Sequence, residues 1–368
     1  MKIGFDAKRL FNNFTGLGNH SRTTVDILTE YFPDNGYYLY TPSISQRAGG
    51  FTSYVNHDGC TVVLPHGIGR GGLWRTFGLG NCFGRDGVEL YHGLSNELPV
   101  VGKRNRIPLV VTIHDVAFRT FPDMYRWHDR LIYDAKWRYA CSNADAVIAI
   151  SECSKQDVIR FYGVDESKVS VVYQPVDRCY YSPVERTAGD PYMLYVGSVN
   201  SRKNLLGVVK AMELMPDDLK LPLVVVGNGR EYKRSVQEYA AAHGLAERLI
   251  WKTVSGSKEL QRLYTDAEVF VYPSFYEGFG LPVLEAELCG CPVVTSNVSS
   301  LPEAGGPYAL FADPGSPEDI CNNIVRALTD SSFRKDALDA GPEYARRKFS
   351  RSVSAGSLMK IYERVIDR

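Results

Sequence analysis

Neither sign of charge prevails in this sequence. Lys plus Arg and Asp plus Glu each number 42, leaving a formal net charge of +0. That balance argues against bulk nucleic-acid binding and leaves only local patches open. Long apolar runs are also missing. None approaches the roughly 20 residues a membrane-spanning helix needs, and the opening MKIGFDAKRLF lacks the apolar stretch of a signal peptide. The eight cysteines are scattered without metal-type spacing, and the one close pair, Cys289 and Cys291, flanks Gly290 at what reads as a helix end. They are expected to be reduced thiols in a cytoplasmic protein that carries no cofactor. The second half also lacks an Asp-x-Asp metal motif.

What is present is the make-up of a globular protein: 44% hydrophobic and 23% charged residues over 368 positions, enough for two domains with real cores. Short apolar runs alternate with amphipathic segments through most of the chain, the pattern of parallel sheets covered by helices. Runs at 3–6, 37–40, 61–64, 90–92, 109–113, 146–150 and 169–173 predict the strands of a first domain, 1–177. Residues 178–189, with Pro183, Thr187 and Gly189, have linker composition. Runs at 193–197, 223–227, 249–251, 269–272, 291–295 and 309–311 predict a second sheet within 190–351. The expected fold class is α/β, with two Rossmann-like doubly wound domains facing a cleft. Residues 67–87, rich in Gly and Arg, read as a loop, and Asn19 reads as the cap of the first long helix.

The most informative stretch is 269–295, VFVYPSFYEGFGLPVLEAELCGCPVVT. It reads as strand, glycine loop, helix and strand. Gly278 and Gly280 let the backbone turn and approach a ligand, with Phe279 and Leu281 beside them. Pro282 suits a helix start, since its missing N–H would be unpaired there. The helix N-terminus turns unpaired N–H groups and the positive dipole end toward whatever lies over the loop. Glu277 lies in the loop and Glu285 about one turn into the helix. A carboxylate accepts from two vicinal hydroxyls, so a sugar ring or a ribose is its natural target. A lone glutamate here would more simply be a solvated loop residue or a dipole complement. The strand 193–197 leads into Ser198, Arg202 and Lys203 at its carboxyl end, where ligands sit in open α/β sheets. Arg202 can hold phosphate bidentately and Lys203 supplies a point charge; a solvated basic turn is the plainer alternative.

The pair of glutamates in Glu-Gly-Phe-Gly-Leu-Pro resembles the Glu-x7-Glu signature of retaining, nucleotide-sugar-dependent glycosyltransferases, in particular family 4 with the GT-B fold. The resemblance covers nearly the whole chain and is strongest over 270–302. It implies that Glu277 holds the donor sugar, that Glu285 holds the ribose, and that Arg202-Lys203-Asn204 is a diphosphate loop. Relatives often carry an arginine where this chain has Ser198. The resemblance further implies that Gly197, Asn228 and Val254 border the nucleotide, and that the last helix, 352–368, completes the first domain.

The first half offers less. Gly16 and Gly18 open a helix, and a tight turn is the default for such a pair. The resemblance makes them backbone donors to the diphosphate. His114 ends a buried strand before Asp115; a structural histidine is the commoner case, and the resemblance implies a contact with the donor sugar. His92, Asn96, Glu97 and Asp115 are the acceptor-side candidates. Arg126, Trp127, Arg130, Lys136, Trp137 and Arg138 form an aromatic and basic segment. It reads as a half-buried helix with its cations reaching solvent or as a peripheral membrane or lipid-linked acceptor contact. Lys103, Arg104 and Arg106 extend that patch.

The expected activity is metal-independent transfer of a hexose from a nucleoside diphosphate sugar to a hydroxyl of a glycan or lipid-linked glycan, with retention, at the cytoplasmic or inner-membrane surface. The resemblance favours mannose from GDP-mannose, then a UDP-hexose, and implies front-face displacement in which the leaving phosphate helps deprotonate the acceptor. Two competitors remain: a two-domain nucleotide-sugar epimerase, and a binding scaffold without catalysis.

Overall fold

The computed structural model describes residues 1–45, 54, 57–65, 71–102 and 106–367. By its internal contacts the chain divides into two units, Met1–Pro175 with Ser350–Arg368, and Val176–Phe349.

The first unit is a sheet of seven parallel strands: β1 (Lys2–Asp6), β2 (Gly36–Tyr40), β3 (Cys60–Val63), β4 (Leu90–Gly93), β5 (Leu109–Ile113), β6 (Ala146–Ala149) and β7 (Val169–Val171). Their order is β3-β2-β1-β4-β5-β6-β7. β5, LVVTI, is buried at every position, as a parallel strand covered on both faces must be. The helix Arg351–Ile366 returns to this unit, and its Ala355, Leu358, Met359, Ile361 and Tyr362 share a core with Ile3, Phe5, Leu28 and Leu90. Arg351 Nη2 donates to Glu30 Oε2 at 2.9 Å and Ser354 Oγ to the Tyr173 carbonyl at 2.9 Å.

The second unit carries β8 (Met193–Val196), β9 (Leu223–Val226), β10 (Leu249–Lys252), β11 (Val269–Tyr272), β12 (Val293–Ser296) and β13 (Ala309–Ala312). These are parallel and in the order β10-β9-β8-β11-β12-β13. In each sheet the chain first adds strands on one side and then on the other. The reversal falls between β1 and β4 in the first sheet and between β8 and β11 in the second.

Three expectations need correction. The first long helix runs Gly16–Tyr31, so Asn19 lies inside it and caps nothing. Asn13 does that work: its Oδ1 accepts from the Thr15 N–H at 2.9 Å and the Gly18 N–H at 3.1 Å. A Cβ on residue 18 would stand 1.8 Å from the Asn13 carbonyl oxygen, which is why glycine is there. Residues 178–189 are not a free linker. Tyr180 is buried, Gln261 Nε2 donates to the Cys179 and Ser182 carbonyls at 2.9 and 2.8 Å, and the Thr187 N–H donates to Asp266 Oδ1 at 2.8 Å. Proline, threonine and glycine signal a lack of regular structure, which is not a lack of packing. Of the expected loop at 67–87, residues 67–70 lie outside the described residues, and the rest holds the helical turns Trp74–Gly78 and Gly80–Asp86.

Candidate active site

The carboxyl edge at the β8/β11 reversal is where an open α/β sheet takes ligands. Two loops meet there. After β8, the turn Ser201–Lys203 is capped by Asn200, whose Oδ1 accepts the Lys203 N–H at 3.2 Å. After β11, the Phe275 N–H donates to the Arg202 carbonyl at 2.8 Å, and Ser274 Oγ lies 3.1 Å from the same oxygen. Asn204 takes φ +56° and anchors the turn through Nδ2 to the Pro314 carbonyl at 2.7 Å.

These bonds bring Arg202, Lys203 and Glu277 together. Glu277 Oε1 accepts from the Tyr272 hydroxyl and Ser274 Oγ, each at 2.9 Å, with Lys203 Nζ at 3.1 Å and Arg202 Nη1 at 3.3 Å. Lys203 Nζ also donates to the Tyr272 hydroxyl, and Arg202 Nη1 to the Tyr276 carbonyl. No partner to Glu277 Oε2 is found among the described residues. Burial alone would raise this carboxyl, but the Lys203 and Arg202 charges and the hydrogen bonds from Ser274 and Lys203 overcome it and hold it at about 2. The side chain is 12% exposed. An ionised carboxylate with one oxygen engaged and the other open can accept from a hydroxyl-bearing ligand.

The helix Leu281–Leu288 follows. Gly280, at φ +118°, leads into it, and a Cβ there would come within 2.9 Å of Leu301. Pro282 takes the second helical position rather than the first. Gly278, Phe279 and Gly280 are buried, and the Phe279 ring meets Phe349 edge-on at 5.4 Å. Ser300 Oγ lies 2.8 Å from both the Glu277 and the Phe279 carbonyl oxygens and fixes the loop. Glu285 is half-buried, and its Oε2 accepts from the Tyr264 hydroxyl at 3.0 Å. Burial pushes this carboxyl up to about 8, opposed by the Tyr264 bond and assisted by Asp177. Two residues on, Glu287 is 2% exposed, and neither of its oxygens has a hydrogen-bond partner among the described residues. Gly197, Ser198, Asn228 and Val254 lie on the same carboxyl edge. The Asn228 carbonyl accepts the Val199 N–H at 2.9 Å, which ties the loops after β8 and β9. Ser198 Oγ accepts from Asn200 Nδ2 at 3.1 Å, and Val254 follows the outermost strand, β10.

In the first unit His114 follows β5 and is 6% exposed. Its Nε2 lies 2.9 Å from the Leu94 carbonyl, which can only accept, so Nε2 carries the proton and Nδ1 the lone pair. The His20 ring stands perpendicular to it, with centroids 4.4 Å apart. Burial lowers the His114 pKa, so the ring is neutral at pH 7. Asn96, at φ +61°, accepts the His114 N–H through Oδ1 at 2.7 Å. Asp115 Oδ1 accepts the Ala117 N–H at 3.0 Å. His92 leaves the acceptor set: it is fully buried, and its Nδ1 and Nε2 are 2.7 and 2.8 Å from the Tyr362 and Thr112 hydroxyls. Glu97 pairs with Arg75 and Lys136. Gly16 lies in the first helical turn, and the Gly18 N–H is already taken by Asn13.

The family description "Glycosyl transferases group 1" matches residues 182–344 and "Glycosyltransferase Family 4" matches residues 23–178. Over 274 residues the chain is 34% identical to the Escherichia coli O-antigen chain mannosyltransferase B, covering 70% of each. The chain belongs to the group 1 glycosyltransferases. It is also 30% identical over 208 residues to the E. coli serotype-specific mannosyltransferase WbdA, spanning 52% of this chain and 26% of that longer protein. The fold is shared with Anabaena HepE, solved with UDP-glucose, at a TM-score of 0.77, 18% identity and 99% coverage of both chains. The architecture is thus the two-domain Rossmann-like one of GT-B glycosyltransferases.

Several residues of this glycosyltransferase escaped the sequence reading. Tyr272 reads as the end of an apolar strand, yet its hydroxyl joins Lys203 to Glu277. Ser274 reads only as a strand stop, and Ser299 Oγ, which accepts the Glu277 N–H at 3.1 Å, lies in an unmarked loop. Tyr264 comes from the helix Ser257–Asp266, and nothing in its spacing points to Glu285.

Proposed function

We propose that this glycosyltransferase moves a hexose, mannose by preference, from a nucleoside diphosphate sugar to a hydroxyl of a glycan or lipid-linked glycan, with retention and without a metal ion. The observation that carries the reading is Glu277: an ionised carboxylate held between Arg202 and Lys203, with Oε2 open. Arg202 and Lys203 take the diphosphate and neutralise it as it leaves. Glu277 accepts from sugar hydroxyls, and Glu285, beside the Tyr264 hydroxyl, accepts from the ribose. His114 accepts from a sugar hydroxyl at Nδ1. Mannose and polysaccharide assembly are supported by the 34% identity to an O-antigen chain mannosyltransferase. GDP-mannose is the first donor and a UDP-hexose the second.

The test is a panel of GDP- and UDP-sugars assayed for nucleoside diphosphate release with and without glycan acceptors, in excess EDTA. Acceptor-dependent release from GDP-mannose, with an α-linked product, is expected. Turnover of donor without acceptor favours an epimerase, and nucleotide binding without turnover favours a scaffold. Loss of activity in EDTA removes the metal-free part.

A peripheral membrane contact belongs to the same reading. No described helix is long and apolar enough to cross a membrane. The helix Trp127–Asn143 leaves Trp127 71%, Leu131 62% and Ile132 51% exposed, with Arg126 just before it and Arg130 within it. Trp137 of the same helix is buried. Of the adjoining basic run, 103–105 lie outside the described residues. Flotation with anionic vesicles, lost in Trp127→Ser/Leu131→Ser, is the expected result.

A further inference from the structure

The β1/β4 reversal gives the first unit a ligand edge of its own, and that edge carries more positive charge than its contacts neutralise. Asp6 closes β1. Its Oδ1 accepts the Lys8 N–H at 3.2 Å, and its Oδ2 lies 2.9 Å from Arg75 Nε and 2.7 Å from Nη2. Arg75 Nη2 is also 2.8 Å from Glu97 Oε2, and Lys136 Nζ is 3.4 Å from Glu97 Oε1. Both carboxylates are therefore matched. The Lys8 ammonium and the Arg9 guanidinium are left over, each only half-buried and neither with an ion pair or hydrogen bond among the described residues. Like charge outweighs opposite charge around them: burial, then Arg75 and Arg9, pull the Lys8 pKa down against the smaller opposing pull of Glu97 and Asp6, and the charge of Arg9 reaches His114.

Half-buried cations gathered beside one another lose hydration and repel. Such an arrangement at a ligand edge points to an anion that offsets the cost. We propose that Lys8 and Arg9 bind a phosphate group carried by the acceptor substrate. Lys8 supplies a compact charge and Arg9 a bidentate fork. Asp6 holds the start of the short helix Lys8–Asn12 that presents both. This rests on the reading that Arg202 and Lys203 take the donor diphosphate.

The probe is inorganic pyrophosphate, titrated by calorimetry into the full-length protein, with GDP and UDP titrated alongside. The variants are Lys8→Gln/Arg9→Gln, Arg202→Gln/Lys203→Gln and the charge-conserving Lys8→Arg/Arg9→Lys, each checked for folding by its thermal transition. Two pyrophosphate sites are expected in the wild type. The Lys8/Arg9 site should weaken roughly tenfold or more in the glutamine pair and persist in the charge-conserving pair, while GDP and UDP affinity stays at the wild-type value. Pyrophosphate binding indifferent to Lys8 and Arg9 overturns the proposal. So does a parallel loss of GDP and UDP affinity, which would give the cluster to the donor. If Arg202→Gln/Lys203→Gln leaves GDP and UDP binding untouched, the functional reading falls, while the Lys8/Arg9 arm still reads this site alone.

Discussion

Lys203 Nζ lies 3.1 Å from Glu277 Oε1, and the Tyr272 hydroxyl bonds to both. On the proposed reading, a diphosphate reaching this loop would meet cations that already have a carboxylate partner. Its gain comes only from charge that Glu277 leaves unsatisfied, and that gain grows as negative charge builds on the leaving group.

Arg202→Ala and Lys203→Ala are therefore expected to act on the transition state more than on the ground state. Each should lower kcat by about 10²–10³, the loss typical of one donor to a developing anion, besides raising KM for the donor. Steady-state kinetics decide it. A rise in KM with kcat unchanged would reduce both residues to ground-state binding.

Glu277→Ala should cut transfer severely while GDP or UDP affinity holds or tightens, because the two cations are released. Its pH behaviour is a separate signature. The folded carboxyl sits at about 2, below its ordinary 4.5. It therefore contributes stability above pH 4.5 that is lost as pH falls toward 2. The difference in melting temperature between wild type and Glu277→Gln should shrink on acidification through that window. A constant difference would contradict the ion-pair account.

Glu285 has the opposite sign. Its folded value of about 8 lies above 4.5, so the folded state binds more protons between those values and loses stability as pH rises through them. Glu285→Gln should be more stable than wild type at pH 8 and nearly equal at pH 4.5. The same variant should bind GDP or UDP more weakly. If the carboxylate form accepts from ribose, nucleotide binding at pH 7 should release a proton, visible as a dependence of calorimetric heat on buffer ionisation. Unchanged affinity with unchanged heats would assign Glu285 to the helix alone.

Glu287 should be a stability liability. It is buried without a hydrogen-bond partner among the described residues, and burial raises its pKa well above 4.5 against the pull of Lys348. Glu287→Met, of similar volume, should raise the melting temperature at neutral pH with turnover nearly unchanged. A loss of turnover with no thermal gain would mean the acid is used.

His92 and His114 should separate cleanly. His92→Phe removes the partner of the Tyr362 hydroxyl, costs on the order of 1–3 kcal/mol of stability and leaves KM alone. His114→Ala should lower transfer with a smaller thermal effect. Equal thermal losses and equal turnover in both variants would make His114 structural.

The strands were legible because parallel strands covered on both faces are continuous apolar runs, as in LVVTI of β5 and VFVY of β11. Glu277 and Glu285 stood out through the resemblance to a Glu-x7-Glu signature, while their partners, Arg202 and Lys203 for the one and Tyr264 for the other, came only with the structure. Sheet order was not, since β1 beside β4 and β8 beside β11 are pairings between distant segments. Tyr264 and Tyr272 hid among apolar residues because only their hydroxyl ends are polar. The Asn19 reading failed because several residues around Gly16 and Gly18 suit a cap, and the close approach of the Asn13 backbone to Gly18 decides among them.

The second unit is one uninterrupted stretch, Val176–Phe349, while the first is assembled from Met1–Pro175 and Ser350–Arg368. Synthesis runs from the amino end, so the first sheet leaves the ribosome without the helix that covers Ile3, Phe5 and Leu90. It has to keep that apolar surface from aggregating until the whole second unit has been made. A premature stop or proteolytic nick near residue 350 therefore damages the domain at the far end of the sequence, and the second unit is the one that can be excised and expressed as a single piece.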